Sequence, residues 1–165
     1  MKIALFPGSF DPFTIGHLQV VKTSAKIMDK VIIGIAENSL KNRKHEVELI
    51  KRGIEETLKE EQIENCEVLI YNKLTVDFAK ENGAEFIIRG LRDNIDYAYE
   101  EDIAKFNYEI SGLETIYIRS NTNISSTFVN DMIKYQKDIS RYVPNKVIEA
   151  IEKNPQSPSG ASSLK

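Results

Sequence analysis

Strand-like and helical segments alternate along most of this 165-residue chain. Five short apolar runs have the length of buried strands, and they lie at residues 3–6, 31–36, 68–71, 86–88 and 115–118. Apolar residues at helical spacing fill most of the intervals between them, in the sets Leu18, Val21, Ala25 and Met28; Val47, Ile50, Ile54 and Leu58; and Tyr99, Ile103, Phe106 and Ile110. A shorter helix is predicted near residues 76–81. This alternation predicts an α/β fold, a Rossmann-like doubly wound parallel sheet of about five strands with helices on both faces.

A C-terminal helical extension follows the fifth strand. Ser125, Ser126 and Thr127 are suited to cap one more helix, and Pro144 is expected to precede a last helix at residues 145–153. Residues 154–165 are rich in Ser, Pro and Gly, so we expect a mobile tail there. The chain is therefore predicted to be a single domain over residues 1–153.

Composition limits the kinds of partner that this chain can have. With 41% hydrophobic and 28% charged residues it resembles a soluble globular protein, and no apolar run approaches the ~18 residues of a membrane span. The N-terminal apolar run is too short for a signal peptide. A net charge of −3 argues against a general nucleic-acid binder, and the single cysteine, Cys66, suits a reducing cytoplasm. We therefore expect a cytoplasmic protein with no nucleic-acid or membrane partner, whose anion sites are local.

The segment between the first strand and the first helix carries the strongest chemical signal. Residues 7–17 are Pro-Gly-Ser-Phe-Asp-Pro-Phe-Thr-Ile-Gly-His. Such a turn leaves N–H groups unpaired at a helix N-terminus, and Gly8 and Gly16 allow backbone to come close to a bulky ligand. His17 would bring a donor or a proton-transfer group to the same place. The segment indicates phosphate chemistry, although an ordinary first-turn histidine between turn glycines is the simpler alternative.

Polar residues also follow the other strands at the carboxyl edge of the predicted sheet, where open parallel sheets bind ligands. Ser9 and His17 follow the first strand; the others, in strand order, are Lys41, Thr75, Arg89 with Arg92, and residues 125–127. Hydroxyls, cations and a helix N-terminus at one edge suit a polyphosphate.

Simpler explanations exist for each of these groups. A solvated basic loop is the alternative for Lys41, Arg43 and Lys44, and a plain helix cap is the alternative for residues 125–127. Pairing with Asp93, Asp96 or Glu100 is the alternative for Arg89 and Arg92. His45 has no neighbour that suggests chemistry, so we expect it on the surface.

Two longer motifs resemble known enzymes. Thr14-x-Gly16-His17 resembles the (His/Thr)-x-Gly-His signature of the nucleotidyltransferase superfamily. The stretch Arg-Gly-Leu-Arg-x-x-x-Asp-x-x-Tyr-Glu at 89–100 resembles the second signature of the phosphopantetheine adenylyltransferases, and Ile-Ser-Ser-Thr at 124–127 extends the match over nearly the whole chain. The resemblance implies adenylyl transfer from ATP to 4′-phosphopantetheine, giving dephospho-coenzyme A and pyrophosphate.

The resemblance also implies roles for individual residues. His17 would stabilise the transition state at the α-phosphate, with Lys41 near the same phosphate. The residues implied for phosphopantetheine are Ser9, Lys41, Thr75 and Arg89. The residues implied for ATP are Ser9, Phe10, His17, Gly90, Leu91, Arg92, Glu100, Ile124, Ser125, Ser126 and Thr127. A homohexamer and a Mg²⁺ cofactor are implied as well, and with no carboxylate cluster in view no residue is assigned as a metal ligand.

Three departures from the family pattern affect the details. Ile15 stands where many members have Asn, the loop at 119–123 is short and lacks an aromatic residue, and Thr127 replaces a serine.

Four alternatives stay open to different degrees. A nicotinate or nicotinamide mononucleotide adenylyltransferase shares the first motif but should lack the 89–100 segment. A class I aminoacyl-tRNA synthetase or a cytidylyltransferase fits less of the chain. A non-catalytic nucleotide-binding module would keep the fold without needing a donor at the reacting phosphate.

Overall fold

The computed structural model describes residues 1–38 and 42–152 as a single α/β layer structure. Its strands are β1 (Ile3–Gly8), β2 (Lys30–Ala36), β3 (Cys66–Tyr71), β4 (Phe86–Leu91) and β5 (Glu114–Arg119). Its helices are α1 (Ile15–Ile27), α2 (Val47–Glu60), α3 (Thr75–Glu81), α4 (Asn94–Ser111), α5 (Ser126–Lys134) and α6 (Asn145–Glu152). The predicted strands and helices are thus confirmed, and the predicted mobile tail lies outside the described residues.

The five strands form one parallel sheet in the order β3-β2-β1-β4-β5. Side chains of β1 alternate between the two faces, so Ala4 and Phe6 pack in one apolar cluster with α1, α2, α5 and α6. Leu5 packs in a second cluster with α3 on the other face. The doubly wound sheet with helices on both faces is therefore confirmed, and its strand order reverses at β1.

Pairing at this reversal point is incomplete. β1 pairs with β2 over six residues, from Ile3 to Gly8. Against β4 it pairs at only two positions, Ala4 with Phe86 and Leu5 with Ile87. The carboxyl halves of β1 and β4 therefore leave a crevice between them.

The apolar stripe of α4 does not lie in the core. Tyr99 is 67% exposed and Phe106 is 53% exposed, and Ile103 and Ile110 are also exposed. Periodicity correctly predicts the helix and its apolar face, but the described part of this single chain leaves much of that face exposed. No helix among the described residues is long and apolar enough to cross a membrane.

Helix α6 packs very closely on α2. A Cβ added at Gly53 would lie 2.8 Å from the Cα of Val147. That contact is with backbone rather than with a flexible side-chain end, so it is hard to relieve.

We therefore expect Gly53→Ala to destabilise the fold. Alanine favours a helix over glycine by about 1 kcal/mol, but the overlap with α6 should outweigh this and lower the free energy of unfolding by about 1–2 kcal/mol. Urea denaturation measures the change, with Glu55→Ala on the exposed side of α2 as the control. An unchanged or higher stability for Gly53→Ala would contradict the close packing.

Candidate active site

A cleft of about 520 Å³ opens at the carboxyl edge of the sheet, beside the crevice between β1 and β4. Its walls come from the turn after β1, the start of α1, the end of β4, the first two turns of α4 and the start of α5. Eleven of the predicted site residues line it: Ser9, Phe10, His17, Arg89, Gly90, Arg92, Glu100, Ile124, Ser125, Ser126 and Thr127. The polar groups that the sequence predicted at one edge are therefore largely brought together.

Three predicted residues are absent from the described lining, for different reasons. Thr75 is the first residue of α3, and its hydroxyl is hydrogen-bonded to the hydroxyl of Tyr71 at 2.9 Å. Leu91 ends β4 without lining the cleft, and Lys41 lies outside the described residues. Arg89 is also placed differently from the prediction, because it lies within β4 rather than after it.

Both glycines of the first motif face other parts of this chain. A Cβ on Gly8 would lie 3.0 Å from the Phe10 ring. A Cβ on Gly16 would lie 3.1 Å from the Thr122 side chain in the loop before α5. The space that a Cβ would occupy at each glycine is therefore filled by packing within the chain, and both glycines line the cleft. Phe10 itself has a φ of 48°, in the left-handed region, which shapes the turn.

His17 is built into the start of α1 by a reciprocal cap. Thr14 is the N-cap, and its hydroxyl accepts from the His17 N–H at 3.4 Å. The Thr14 N–H in turn donates to His17 Nδ1 at 3.0 Å. Since a backbone N–H can only donate, Nδ1 must be an acceptor, and the neutral ring then carries its proton on Nε2. The cap therefore leaves one donor, Nε2–H, on a ring that lines the cleft.

Three aromatic rings surround this imidazole and keep it neutral. Phe10 packs edge-on at 4.9 Å between ring centroids, Phe13 lies at 5.5 Å and Phe6 at 6.4 Å. Burial, helped by the positive charges of Arg89 and Arg92, lowers the pKa of His17 to about 3. His17 is thus a neutral hydrogen-bond donor at physiological pH.

Arg89 bridges the crevice. Its Nε and Nη2 donate to the two carboxylate oxygens of Glu100 at 2.8 Å each, and its Nη1 donates to the carbonyl of Pro7. Burial disfavours the charge, but the hydrogen bond and negative charge of Glu100 outweigh this and raise the pKa of Arg89. The guanidinium therefore stays positive where β1 and β4 separate.

Arg92 is held in a similar way nearer the surface. Its Nε and Nη2 donate to Asp96 at 2.8 and 3.0 Å. The hydrogen bond from Arg92 is the main cause of the lowered pKa of Asp96. The suggested pairing of both arginines with carboxylates on α4 is confirmed.

The start of α5 forms the opposite wall. Ser125 is the N-cap and accepts from the Phe128 N–H at 3.1 Å. The Ser126 hydroxyl donates to the carbonyl of Pro12 at 2.8 Å, which ties this helix to the turn after β1. The predicted helix cap is confirmed, and a cap and an anion site are compatible because both use the N-terminal N–H groups.

Sequence reasoning missed a buried polar network behind the turn. His45 is only 4% exposed, so its predicted surface position is wrong. Its Nε2 lies 2.9 Å from Asn130 Oδ1, while Asn130 Nδ2 donates to the carbonyl of Asp11. Arg43 is also largely buried, with 15% of its side chain exposed, so it is not part of a solvated loop. These contacts join residues up to 119 positions apart, and only the run of polar residues at 42–46 could have hinted at them.

The carboxylates of the cleft are already engaged by donors. Asp11 accepts from the N–H groups of Lys44 and His45 at 2.7 and 2.9 Å. Asp96 and Glu100 accept from arginines, as described above. No group of three potential metal ligands of the His, Cys, Asp and Glu types occurs among residues 1–38 and 42–152.

Comparison with known proteins assigns the family. The cytidylyltransferase-like family model matches residues 5–140. A phosphopantetheine adenylyltransferase of Cytophaga hutchinsonii is 45% identical over 150 residues, covering 88% of this chain and 99% of the relative. Another from Lachnoclostridium phytofermentans is 43% identical, covering 92% and 94% respectively. This chain belongs to the phosphopantetheine adenylyltransferase family.

Similarity to solved structures supports the fold. A protein of Vibrio parahaemolyticus assigned as a nicotinate-nucleotide adenylyltransferase superposes with a TM-score of 0.68 at 17% identity, covering 92% of this chain and 99% of that one. A bifunctional NMN adenylyltransferase/ADP ribose pyrophosphatase of Francisella tularensis gives 0.65 at 19%, covering 86% and 44%. At these identities the likeness concerns architecture only, so the family membership rests on the sequence relatives.

The lowered pKa of His17 predicts a pH dependence of stability. The unfolded chain binds a proton at this histidine below its ordinary pKa of 6.5, whereas the folded chain binds it only near pH 3. The stability that the neutral His17 contributes is therefore present above pH 6.5 and is lost progressively as the pH falls below that value. Between pH 7 and pH 5, the wild type should lose about 1–2 kcal/mol more than His17→Gln.

Urea denaturation of both proteins at the two pH values measures this difference. His45 is retained in both, so its own contribution cancels in the comparison. Equal losses for the wild type and His17→Gln would contradict a lowered pKa for His17 in the folded chain.

Proposed function

We propose that this protein transfers the adenylyl group of ATP to 4′-phosphopantetheine, giving dephospho-coenzyme A and pyrophosphate. The observation that carries the proposal is that eleven of the predicted substrate-binding residues line one cleft of a chain whose relatives are phosphopantetheine adenylyltransferases. An oxygen of the substrate phosphate attacks the α-phosphorus of ATP in line. A new P–O bond forms while the bond to the β-phosphate breaks, and pyrophosphate carries away the negative charge.

The nucleophile is already an anion, so the site needs no serine or cysteine nucleophile and no general base. Catalysis then consists of positioning and charge stabilisation. The Nε2–H of His17 is suited to donate to an oxygen of the α-phosphate as charge develops there, because its tautomer is set by Thr14. Because His17 stays neutral, it donates a hydrogen bond without transferring its proton, and this role does not require a change of its protonation state near pH 7.

ATP is proposed to lie between the start of α5 and the end of β4. Ser9, Phe10 and residues 125–127 would contact the triphosphate, since N–H groups at a helix N-terminus favour anions. Gly90, Arg92, Glu100 and Ile124 would line the nucleotide, and Leu91 would contribute from the same stretch. We assign phosphopantetheine to the side of Arg89 and Thr75, where Tyr71 holds the Thr75 hydroxyl.

Mg²⁺ is proposed to enter bound to the phosphates of ATP. The three cleft carboxylates described above already accept hydrogen bonds, so the described lining fits a metal carried by the substrate better than a resident one. Mg²⁺ also prefers to keep several waters and to bind substrate phosphates. Its role would be to neutralise charge on the leaving pyrophosphate.

The deciding experiment is pyrophosphate release from ATP and Mg²⁺ with three acceptor conditions: 4′-phosphopantetheine, nicotinate mononucleotide and no acceptor. Release with phosphopantetheine alone is expected. Release with the mononucleotide instead would support the activity assigned to the solved structures of similar fold. ATP binding without release under any condition would indicate a non-catalytic module.

His17→Ala should slow the reaction by about 10²–10³ in kcat, because one preorganised donor to developing charge is lost. Steady-state pyrophosphate release measures the effect. Lys26→Ala, on an exposed position of the same helix, is the control and should leave kcat unchanged. A His17→Ala protein that folds normally and keeps the wild-type kcat would remove His17 from the mechanism.

The protein is further proposed to act in the cytoplasm as a homo-oligomer, a hexamer by family resemblance. The exposed apolar stripe of α4, formed by Tyr99, Ile103, Phe106 and Ile110, supports self-association. Contiguous exposed apolar surface of this kind is typical of interfaces.

Phe106→Glu should therefore reduce the particle mass. Light scattering after size exclusion is expected to give six chain masses for the wild type and fewer for Phe106→Glu. Lys105→Glu adds an acid on the same helix outside the stripe, so it should assemble like the wild type. Equal masses for all three proteins would place the interface elsewhere.

A further inference from the structure

Arg43 reaches the turn after β1 from the loop that follows β2. Its Nη1 donates to the carbonyl of Ser9 at 2.8 Å, and its Nε donates to the carbonyl of His45 at 3.0 Å. The same Nη1 lies 3.5 Å from the carbonyl of Ala36 at the end of β2. One planar guanidinium thus joins the end of a central strand, the loop before α2 and the turn that lines the cleft.

The contact with Ser9 determines the direction of a neighbouring N–H group. The Ser9–Phe10 peptide is trans, so its N–H points opposite to its carbonyl. Ser9 and Phe10 line the cleft, whereas Arg43 is not among the described lining residues. With the carbonyl of Ser9 bound by Arg43, the Phe10 N–H points away from Arg43.

We propose that Arg43 is a positioning residue for phosphate binding, which acts by holding the Ser9–Phe10 peptide with its N–H directed at the nucleotide phosphates. This inference rests on the proposed function, because it takes the cleft to bind ATP. It adds a residue that touches neither substrate and lies in a different loop from the signature motifs.

The surroundings of Arg43 are consistent with a fixed support. The Asp11 carboxylate accepts from the N–H groups of Lys44 and His45, so the segment that carries Arg43 is itself tied to the turn. On the other side, Asn130 donates to the carbonyl of Asp11. Arg43 and Asn130 therefore hold two carbonyls of the same turn from two separate elements, β2–α2 and α5.

Burial of this cation costs free energy that hydrogen bonds and nearby negative charges must offset. Its Nη2 is buried, has no hydrogen-bond partner within residues 1–38 and 42–152, and lies 4.0 Å from Asp11 Oδ1. Burial lowers the pKa of Arg43, and Asp11 and Glu37 offset part of this effect. A lysine would keep the charge but has a single ammonium group, which cannot reproduce the fork that reaches Ser9 and His45 together.

The test compares binding of ATP with binding of adenosine, measured by competition against a fluorescent nucleotide. For Arg43→Lys we expect the Kd for ATP to rise about tenfold, which is the typical effect of losing one hydrogen bond to a charged group. Arg43→Ala should raise the Kd for ATP by at least as much. The Kd for adenosine should stay within about twofold, because adenosine has no phosphate for the turn to bind. Arg52→Ala removes a positive charge from an exposed position on α2 and should bind both ligands like the wild type.

Two results would overturn the inference. Unchanged ATP affinity in Arg43→Lys would mean that the charge alone matters, and equal losses for ATP and adenosine would mean that Arg43 only supports the fold. Failure of the proposed function is seen separately, in the wild type, as ATP binding without pyrophosphate release in the presence of phosphopantetheine. The binding comparison still decides the role of Arg43 in that case.

Discussion

The separation of β1 from β4 after two residue pairs is the constraint on which the rest of the site depends. If β1 and β4 stayed paired to the carboxyl edge of the sheet, there would be no room between these two strands for a side chain. Because these strands part early, the carbonyl of Pro7 is available to a guanidinium, and Arg89 occupies the gap. Glu100 then compensates the buried charge and joins α4 to the sheet. The cleft is thus a consequence of strand order together with one buried ion pair.

Formal charges in the described lining of this cleft cancel. Lys44, Arg89 and Arg92 are balanced by three carboxylates, and both arginines already have partners. Attraction of a polyphosphate must then depend strongly on oriented N–H groups, the N-terminus of α5 and a neutral imidazole. Such dipoles need precise support, which gives the buried contacts around the turn after β1 their importance.

Most of the fold could be predicted from the sequence, because buried parallel strands are short apolar runs and helices carry their own period. Ser9, His17 and residues 125–127 could be placed at the cleft for the same reason, since each lies just beyond a strand. Side-chain partners could not be predicted in this way. The Asn130 amide that binds His45 lies 85 positions away along the chain, so this tertiary contact has no local signal. The exposed stripe of α4 was equally out of reach, because periodicity identifies an apolar face but not what covers it.

The cap at the start of α1 limits how this scaffold could be redesigned. The His17 imidazole accepts a hydrogen bond from the Thr14 N–H at the start of α1, and the same ring presents its Nε2–H donor to the cleft. A designer who replaces the histidine to obtain new chemistry also removes one of the two bonds of the cap, and must supply another acceptor for the Thr14 N–H. Conversely, a substitution at Thr14 that removes the hydroxyl would leave the His17 N–H uncapped, while the backbone N–H that sets the tautomer of the ring would remain. Chemistry and helix initiation at this position therefore have to be engineered together.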